Sequence, residues 1–277
     1  MVSLEVMGER SYTLCFRPIV SDGAWGGGPM DAVIFGGMAA LANIVGGFWV
    51  TWPRLIARRS LLLYPLALGA GFLLAAVFLK VLPTSLDLDL WRGHSAPPLV
   101  LVLAGYLLIQ LFEHTVAPHF HFGEETHVEA LSGRHVVWAA VGGVALHAFF
   151  DGVAIAAGFH VEHRLGVLLF IAILLHKLPE GFTVASIVLA SGRSRRAARW
   201  ASAAVAVATL VGVLLVGVAR EVIPYALPLS AGVTLYVAAS DLIPEINREP
   251  RSASSLVVFL GVALYYMTEK MLEAFGL

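Results

Sequence analysis

The sequence predicts an all-α polytopic membrane protein with eight transmembrane helices. Hydrophobic residues make up 58% of the 277 residues, charged residues make up 13%, and the mean hydropathy is +0.83. A soluble domain would carry roughly a quarter charged residues. The apolar residues are grouped into stretches of about 20, the length at which a helix crosses a bilayer. A helix also satisfies its own backbone hydrogen-bonding groups inside lipid.

Eight apolar stretches of this length follow one another along the chain. They lie at about 31–52, 62–83, 98–118, 136–159, 165–190, 198–220, 223–245 and 254–274. The fourth and fifth contain charged residues, which an ordinary lipid-facing span does not tolerate. Together the stretches define one membrane domain over residues 31–277, preceded by a tail at 1–30 that is predicted to be flexible.

Basic residues indicate the orientation of these spans. The arginine clusters of the first and fifth loops fall on the same side, and cytoplasmic loops are the ones enriched in Lys and Arg. These clusters are Arg54, Arg58 and Arg59, and Arg193, Arg195, Arg196 and Arg199. The sequence therefore predicts that both loops are cytoplasmic, and an even number of spans then places both termini outside.

The charge balance and the cysteine content exclude several function classes. A net charge of −1 gives no basis for expecting a nucleic-acid partner. The single cysteine, Cys15, rules out a disulfide framework and a cysteine-based zinc cluster. Any metal site has to be built from His, Asp and Glu, whose nitrogen and oxygen atoms suit zinc and neighbouring divalent ions.

Two histidine–acid pairs lie inside the fourth and fifth stretches. His147 and Asp151 are four residues apart, and His176 and Glu180 repeat this spacing. Residues at this spacing lie on one face of a helix. If the two helices are antiparallel neighbours with these faces turned inward, two imidazoles and two carboxylates form a four-ligand site.

The same two segments echo each other over ten residues. Residues 147–156 read HAFFDGVAIA and residues 176–185 read HKLPEGFTVA. Repeats in transporters often generate a central site, and the glycine after each acid allows close helix approach. A single intramembrane histidine is often only a packing residue. Four ionisable groups cost several kcal/mol each unless they are paired or hydrated, which favours a functional site.

These motifs resemble the signature of a known membrane-protein family. HAFFDG at 147–152 and HKLPEG at 176–181 are similar to the fourth- and fifth-helix motifs of the ZIP (Zrt-/Irt-like protein) family of divalent metal transporters. ASDLIPE at 239–245 resembles the family's seventh helix. On this resemblance, which covers essentially residues 31–277, the chain is identified as a ZIP-family member of the prokaryotic type.

The resemblance implies a fold, a site and an activity. Helices 4 and 5 would be central, flanked by two three-helix bundles related by an inverted repeat. The site that passes zinc, or else cadmium, iron or manganese, into the cytoplasm would consist of His147, Asp151, His176 and Glu180. The protein would be a homodimer in the cell membrane, which is the inner membrane in a Gram-negative cell.

One position departs from the family pattern. Many members bind a second metal through the residue after each motif histidine and an acid on the sixth helix. The two motif positions are Ala148 and Lys177, and the sixth stretch has no acid before Glu221. We therefore expect a single-metal site. Lys177 has two alternative roles, as a substitute cation paired with Asp151 or Glu180, or as a residue of an aqueous vestibule.

Acidic and histidine residues near the cytoplasmic ends of two spans suggest where the metal leaves. Asp241 and Glu245 are four apart near the end of the seventh stretch, and Glu113 and His114 end the third. We interpret them as an exit pathway. The alternative for the seventh-helix pair is a solvated helix end that pairs with Arg248.

The predicted cytoplasmic loop at 119–135 is rich in histidine. Its members include His119, His121 and His127. Histidine-rich tracts bind metals, and ZIP proteins often have such a loop between their third and fourth helices. The alternative is a flexible polar loop whose histidines have no role.

Two other functions remain open from the sequence. An intramembrane zinc-dependent hydrolase would also hold zinc with His and Asp. Such an enzyme keeps one coordination position open for water, whereas this set offers four protein ligands. A sensor or structural subunit would bind metal tightly without moving it, although a transporter has to release what it binds. We expect a transporter and not an enzyme.

Overall fold

The computed structural model describes residues 29–52, 59–91, 93–115, 134–248 and 252–276. Within these ranges all regular secondary structure is helical, and eight helices are long and apolar enough to cross a membrane. The prediction of an all-α protein with eight spans is confirmed. Most of the N-terminal tail and the histidine-rich loop with His119, His121 and His127 lie outside the described residues.

We number the membrane-crossing helices α1 to α8. They are α1 Pro29–Thr51, α2 Arg59–Ala76 continued by Val77–Val81 and Leu82–Asp87, α3 Ala96–Thr115, α4 Arg134–Val161, α5 His163–Ala190, α6 Arg195–Val218, α7 Ile223–Tyr236 continued by Val237–Leu242 and Ile243–Arg248, and α8 Ser252–Ala274. Each lies within a few residues of its predicted stretch.

Helices α2 and α7 share a local irregularity. Each contains a π-helical turn, Val77–Val81 in α2 and Val237–Leu242 in α7. A proline follows each turn by two residues, Pro83 and Pro244. Because proline lacks an N–H group and its ring clashes with the carbonyl four residues earlier, it disturbs the backbone of the preceding turn. The wider π-helical turn accommodates this disturbance without ending the helix.

The helix packing places α4 and α5 at the centre. Helix α5 contacts α1, α2, α4 and α6, while α4 contacts α1, α5, α6 and α7. Around them α1 packs on α6, α2 on α8 and α3 on α7. The same pattern of contacts results when α1, α2 and α3 are exchanged for α6, α7 and α8, and α4 is exchanged for α5. An inverted repeat predicts this pattern, in which the helices of the two halves interleave around the central pair.

Apolar side chains cover the outside of the peripheral helices. Examples on α1, α3, α6 and α8 are Met38, Leu41, Leu103, Leu111, Val211, Leu214, Phe259 and Met267. A continuous apolar surface of this kind suits contact with lipid, while the ionisable residues of α4 and α5 are kept inside the bundle.

Glycines set the distance between the central helices and their neighbours. A Cβ atom on Gly181 of α5 would collide with the carbonyl oxygen of Asn43 in α1, and one on Gly152 of α4 would collide with the carbonyl oxygen of Thr209 in α6. These glycines directly follow the motif acids Glu180 and Asp151. The predicted close approach is therefore confirmed, and it occurs beside the candidate site.

Substituting Gly181 with alanine is expected to destabilise the protein. The added methyl group has to displace the α1 backbone, and overpacking of this kind costs about 1–3 kcal/mol. Gly37→Ala is a suitable control, since a Cβ atom on Gly37 meets no atom within 4 Å. The midpoint of thermal unfolding in detergent should fall for Gly181→Ala and stay or rise for Gly37→Ala. Equal midpoints for the two variants would contradict the packing described.

Candidate metal site

The four predicted ligands meet between α4 and α5. His147 and Asp151 lie one turn apart on α4, and His176 and Glu180 lie one turn apart on α5. One ligand atom from each residue falls within 4.8 Å of the other three. His147 is 9% exposed, Asp151 1% and His176 3%, so the cluster is buried in the middle of the bundle.

The distances between these ligand atoms suit a metal ion with tetrahedral coordination. Nε2 of His147 lies 3.0 Å from Oδ2 of Asp151 and 3.5 Å from Oε2 of Glu180. Nε2 of His176 lies 3.4 Å and 3.9 Å from the same two oxygens, and the two Nε2 atoms are 3.5 Å apart. Ligands bound tetrahedrally to zinc at its usual bond lengths are about 3.3 Å from one another. Small side-chain movements would therefore complete the coordination shell.

A backbone contact orients one of the imidazoles. Nδ1 of His176 lies 3.2 Å from the carbonyl oxygen of Ala172. A carbonyl oxygen only accepts, so Nδ1 is the donor. A neutral imidazole then carries its lone pair on Nε2, which faces the other ligands.

Lys177 is buried inside the cluster. It is 0% exposed, and its Nζ lies 2.7 Å from Oδ2 of Asp151 and 2.9 Å from both carboxylate oxygens of Glu180. A vestibule residue would instead be hydrated. The arrangement matches that of a substitute cation. The other position of the second metal site, Ala148, is buried and offers no ligand atom.

A residue that no sequence pattern indicated contacts the cluster. Nδ2 of Asn43, on α1, donates to Oε1 of Glu180 over 2.7 Å, and Asn43 is 0% exposed. A carboxamide in an otherwise apolar span is a signal that could have drawn attention to it. Its partner lies 137 residues away, so no local spacing links the two.

The predicted exit residues are only partly brought together. The carboxylate of Glu113 accepts a 2.8 Å hydrogen bond from the hydroxyl of Tyr236, which places it beside the π-helical turn that contains Asp241. Glu245 is 1% exposed, which does not fit the alternative of a solvated helix end. His114 is exposed, and its Nδ1 donates to the carbonyl oxygen of Gln110 in its own helix.

Polar contacts join the helices at the opposite end of the bundle. Nζ of Lys80, near the end of α2, lies 2.9 Å from the carboxylate of Glu162, between α4 and α5. His163 at the start of α5 lies 3.6 Å from Asp31 at the start of α1. These contacts tie the central pair to two of its neighbours, away from the four candidate ligands.

Fold and site together define a class of protein, a polytopic membrane protein with a candidate metal site between its two central helices. Residues 121–269, more than half of the 277 residues, match the protein family described as "ZIP Zinc transporter". The chain belongs to the ZIP family, as its motifs predicted. Members of this family are transporters and not enzymes, as expected for this chain, which argues against the hydrolase alternative.

Several animal proteins are similar to this chain. It is 28% identical over 155 residues to "Zinc transporter foi" of Drosophila melanogaster, a match to 51% of this chain and 22% of that protein. The human "Zinc transporter SLC39A7" is 32% identical over 127 residues, 42% of this chain and 27% of that protein. The human "Zinc transporter ZIP4" is 36% identical over 114 residues, 39% of this chain and 18% of that protein. The chain thus spans about a quarter or less of these relatives, and the prokaryotic type stays a prediction.

Proposed function

We propose that this protein imports a divalent metal ion, in the first place zinc, through the single site formed by His147, Asp151, His176 and Glu180. The observation that carries the proposal is the convergence of four ligand atoms within 4.8 Å of one another inside the bundle. Membership of a transporter family and similarity to proteins named as zinc transporters support it. Cadmium, iron and manganese are the other candidate substrates, because the same nitrogen and oxygen ligands bind them.

The residues of the site have different roles in binding and releasing the ion. The ion exchanges its water for two imidazole nitrogens and two carboxylate oxygens. Lys177 holds both carboxylates while the ion is absent and leaves a single negative charge on the site. That moderate charge favours release, which transport requires as much as binding. Asp241 and Glu113 then offer carboxylates on the way to the cytoplasm, with Glu245 further along α7.

Other parts of the proposal concern the surroundings of the protein. We propose that it lies in the cell membrane as a homodimer with both termini outside, and that the arginine-rich loops face the cytoplasm. In a Gram-negative cell this membrane is the inner one. The histidine-rich loop, with His119, His121 and His127, would collect metal on the cytoplasmic side. Of the four residues predicted to form the exit pathway, His114 is the least supported, because its side chain is exposed.

Expression of the protein in zinc-depleted cells is expected to raise zinc uptake. Cells that carry a cytoplasmic zinc reporter and the wild-type protein should accumulate zinc faster than cells with an empty vector. Cells that express Asp151→Ala should behave like the empty-vector cells, because a ligand is missing. A fall in cytoplasmic zinc that depends on the wild-type protein would contradict import and indicate export.

Zinc binding is expected to weaken as the pH falls. Two imidazoles and two carboxylates bind metal only in their deprotonated forms, so protons compete with zinc for the site. Isothermal titration calorimetry of the purified protein measures the zinc dissociation constant at a series of pH values. The series runs between about 5 and 8, the range in which histidine side chains generally titrate. An affinity that stays constant over this range would argue against histidine ligation.

A further inference from the structure

One carboxylate of the site is held from a third helix. Nδ2 of Asn43, on α1, donates to Oε1 of Glu180 over 2.7 Å. The other oxygen, Oε2, lies 3.5 Å from Nε2 of His147. Nζ of Lys177 lies 2.9 Å from both oxygens and so does not distinguish them. The hydrogen bond from Asn43 therefore fixes the orientation in which the carboxylate of Glu180 turns its other oxygen toward the imidazoles.

Close helix packing brings Asn43 to this place. A Cβ atom on Gly181 would collide with the carbonyl oxygen of Asn43, and one on Gly46 would collide with the carbonyl oxygen of Leu178. The α1 backbone thus touches α5 at the residue after Glu180. The matching contact of the other half of the repeat brings Thr209 of α6 to Gly152, after Asp151. Each motif acid consequently lies beside a helix that presents a polar residue.

The second polar atom of the amide makes no comparable contact. Oδ1 of Asn43 is buried and forms no hydrogen bond within the described part of the chain. Leaving a buried acceptor unsatisfied is costly, and such groups are often retained for a functional reason. The opposite assignment of the amide would place Oδ1 against a carboxylate oxygen, so the donor role of Nδ2 is chemically determined.

We infer that Asn43 is a positioning residue of the metal site, which orients Oε2 of Glu180 toward the ion and thereby raises the affinity for it. This rests on the proposed function in taking Glu180 as a metal ligand. Asn43 acts through Glu180 and not by binding the ion itself. Its effect should therefore depend on the presence of that carboxylate.

The test is a double-mutant cycle on zinc binding by the purified full-length protein. Asn43→Ala removes a hydrogen bond to a charged group, which should raise the zinc dissociation constant roughly tenfold. In a Glu180→Ala background, whose three remaining ligands bind zinc at higher concentration, the same substitution should change the constant by less than about twofold. Where Asn43→Ala does not fold, Asn43→Leu is used instead, because it keeps the branched shape of the side chain and removes the hydrogen-bond donor.

Ser202→Ala provides a matched control. Ser202 is buried on α6, and its hydroxyl donates to the carbonyl oxygen of Gly181 over 3.1 Å, so it also supports α5 beside Glu180 without touching a carboxylate. This variant should keep the wild-type zinc dissociation constant. A merely structural role of Asn43 predicts equal effects in both backgrounds, and that result, or a wild-type constant for Asn43→Ala, would overturn the inference.

The readout also separates the inference from the proposed function. Zinc binding at equilibrium does not require flux. A wild-type protein that binds zinc but does not pass it would contradict import, while the comparison of Asn43→Ala in the two backgrounds would still decide the role of Asn43.

Discussion

Replacement of His176 by alanine is expected to abolish zinc flux at micromolar zinc. The substitution removes one of the four proposed ligands and leaves a space lined by the carboxylates of Asp151 and Glu180, whose oxygens lie 3.4 Å and 3.9 Å from Nε2 of His176. Changes outside the ligand shell alone cost roughly 10–100-fold in metal affinity. Loss of a ligand should lower the affinity for zinc at least about a hundredfold. Zinc flux is measured as zinc entry into proteoliposomes that contain a trapped zinc-responsive dye.

His160→Ala is the matched control for this experiment. His160 is also a buried histidine, and its Nδ1 lies 2.7 Å from the carbonyl oxygen of Ala156, four residues earlier, as Nδ1 of His176 does from Ala172. It does not belong to the ligand cluster. His160→Ala should therefore retain zinc flux. Equal loss of flux in both variants would attribute the effect to packing and not to ligation.

Replacement of Lys177 by methionine is expected to strengthen zinc binding and to slow transport. The ammonium group competes with the ion for the oxygens of Asp151 and Glu180 and also repels it. Two unit charges 4 Å apart interact by about 4 kcal/mol at an effective dielectric constant of about 20, and zinc is divalent. Even a fraction of this repulsion corresponds to an affinity gain of at least about tenfold. Titration gives the dissociation constant, and the same proteoliposome assay gives the maximal rate, which should fall because release is slower.

Lys80→Met controls for the loss of a lysine as such. Lys80 pairs with Glu162, between α4 and α5, and does not belong to the cluster of four candidate ligands. Its replacement should leave the zinc dissociation constant unchanged. Unchanged or weaker zinc binding by folded Lys177→Met would contradict the role of Lys177 as a substitute cation.

The sequence was sufficient to predict the eight spans and the meeting of the four side chains of the candidate site. Apolar stretches of membrane length define the helices, and the spacing of four places each His–acid pair on one face. Two consecutive spans of a membrane protein are antiparallel. His147 and His176 therefore come together when their two helices pack with these faces turned toward each other. Residues close in sequence, or on neighbouring spans, are the ones that patterns of this kind bring together.

Contacts between distant helices were beyond the sequence. The pairing of Asn43 with Glu180 depends on α1 packing against α5, which follows from glycines that meet backbone carbonyls. The two roles of Lys177 could not be separated, because the choice depends on whether water reaches the middle of α5. Glu113 and His114 are adjacent, yet consecutive residues of a helix point about 100° apart, and Glu113 contacts α7 through Tyr236.

Zinc flux by the wild-type protein tests the central claim most directly. Purified protein in liposomes with a trapped zinc-responsive dye should give saturable zinc entry that protein-free liposomes lack. The same preparation, assayed by titration, should bind and release zinc within the time of the flux measurement. Tight, slowly exchanging zinc with no entry of zinc, cadmium, iron or manganese would contradict transport through this site and favour a metal-binding sensor or structural subunit.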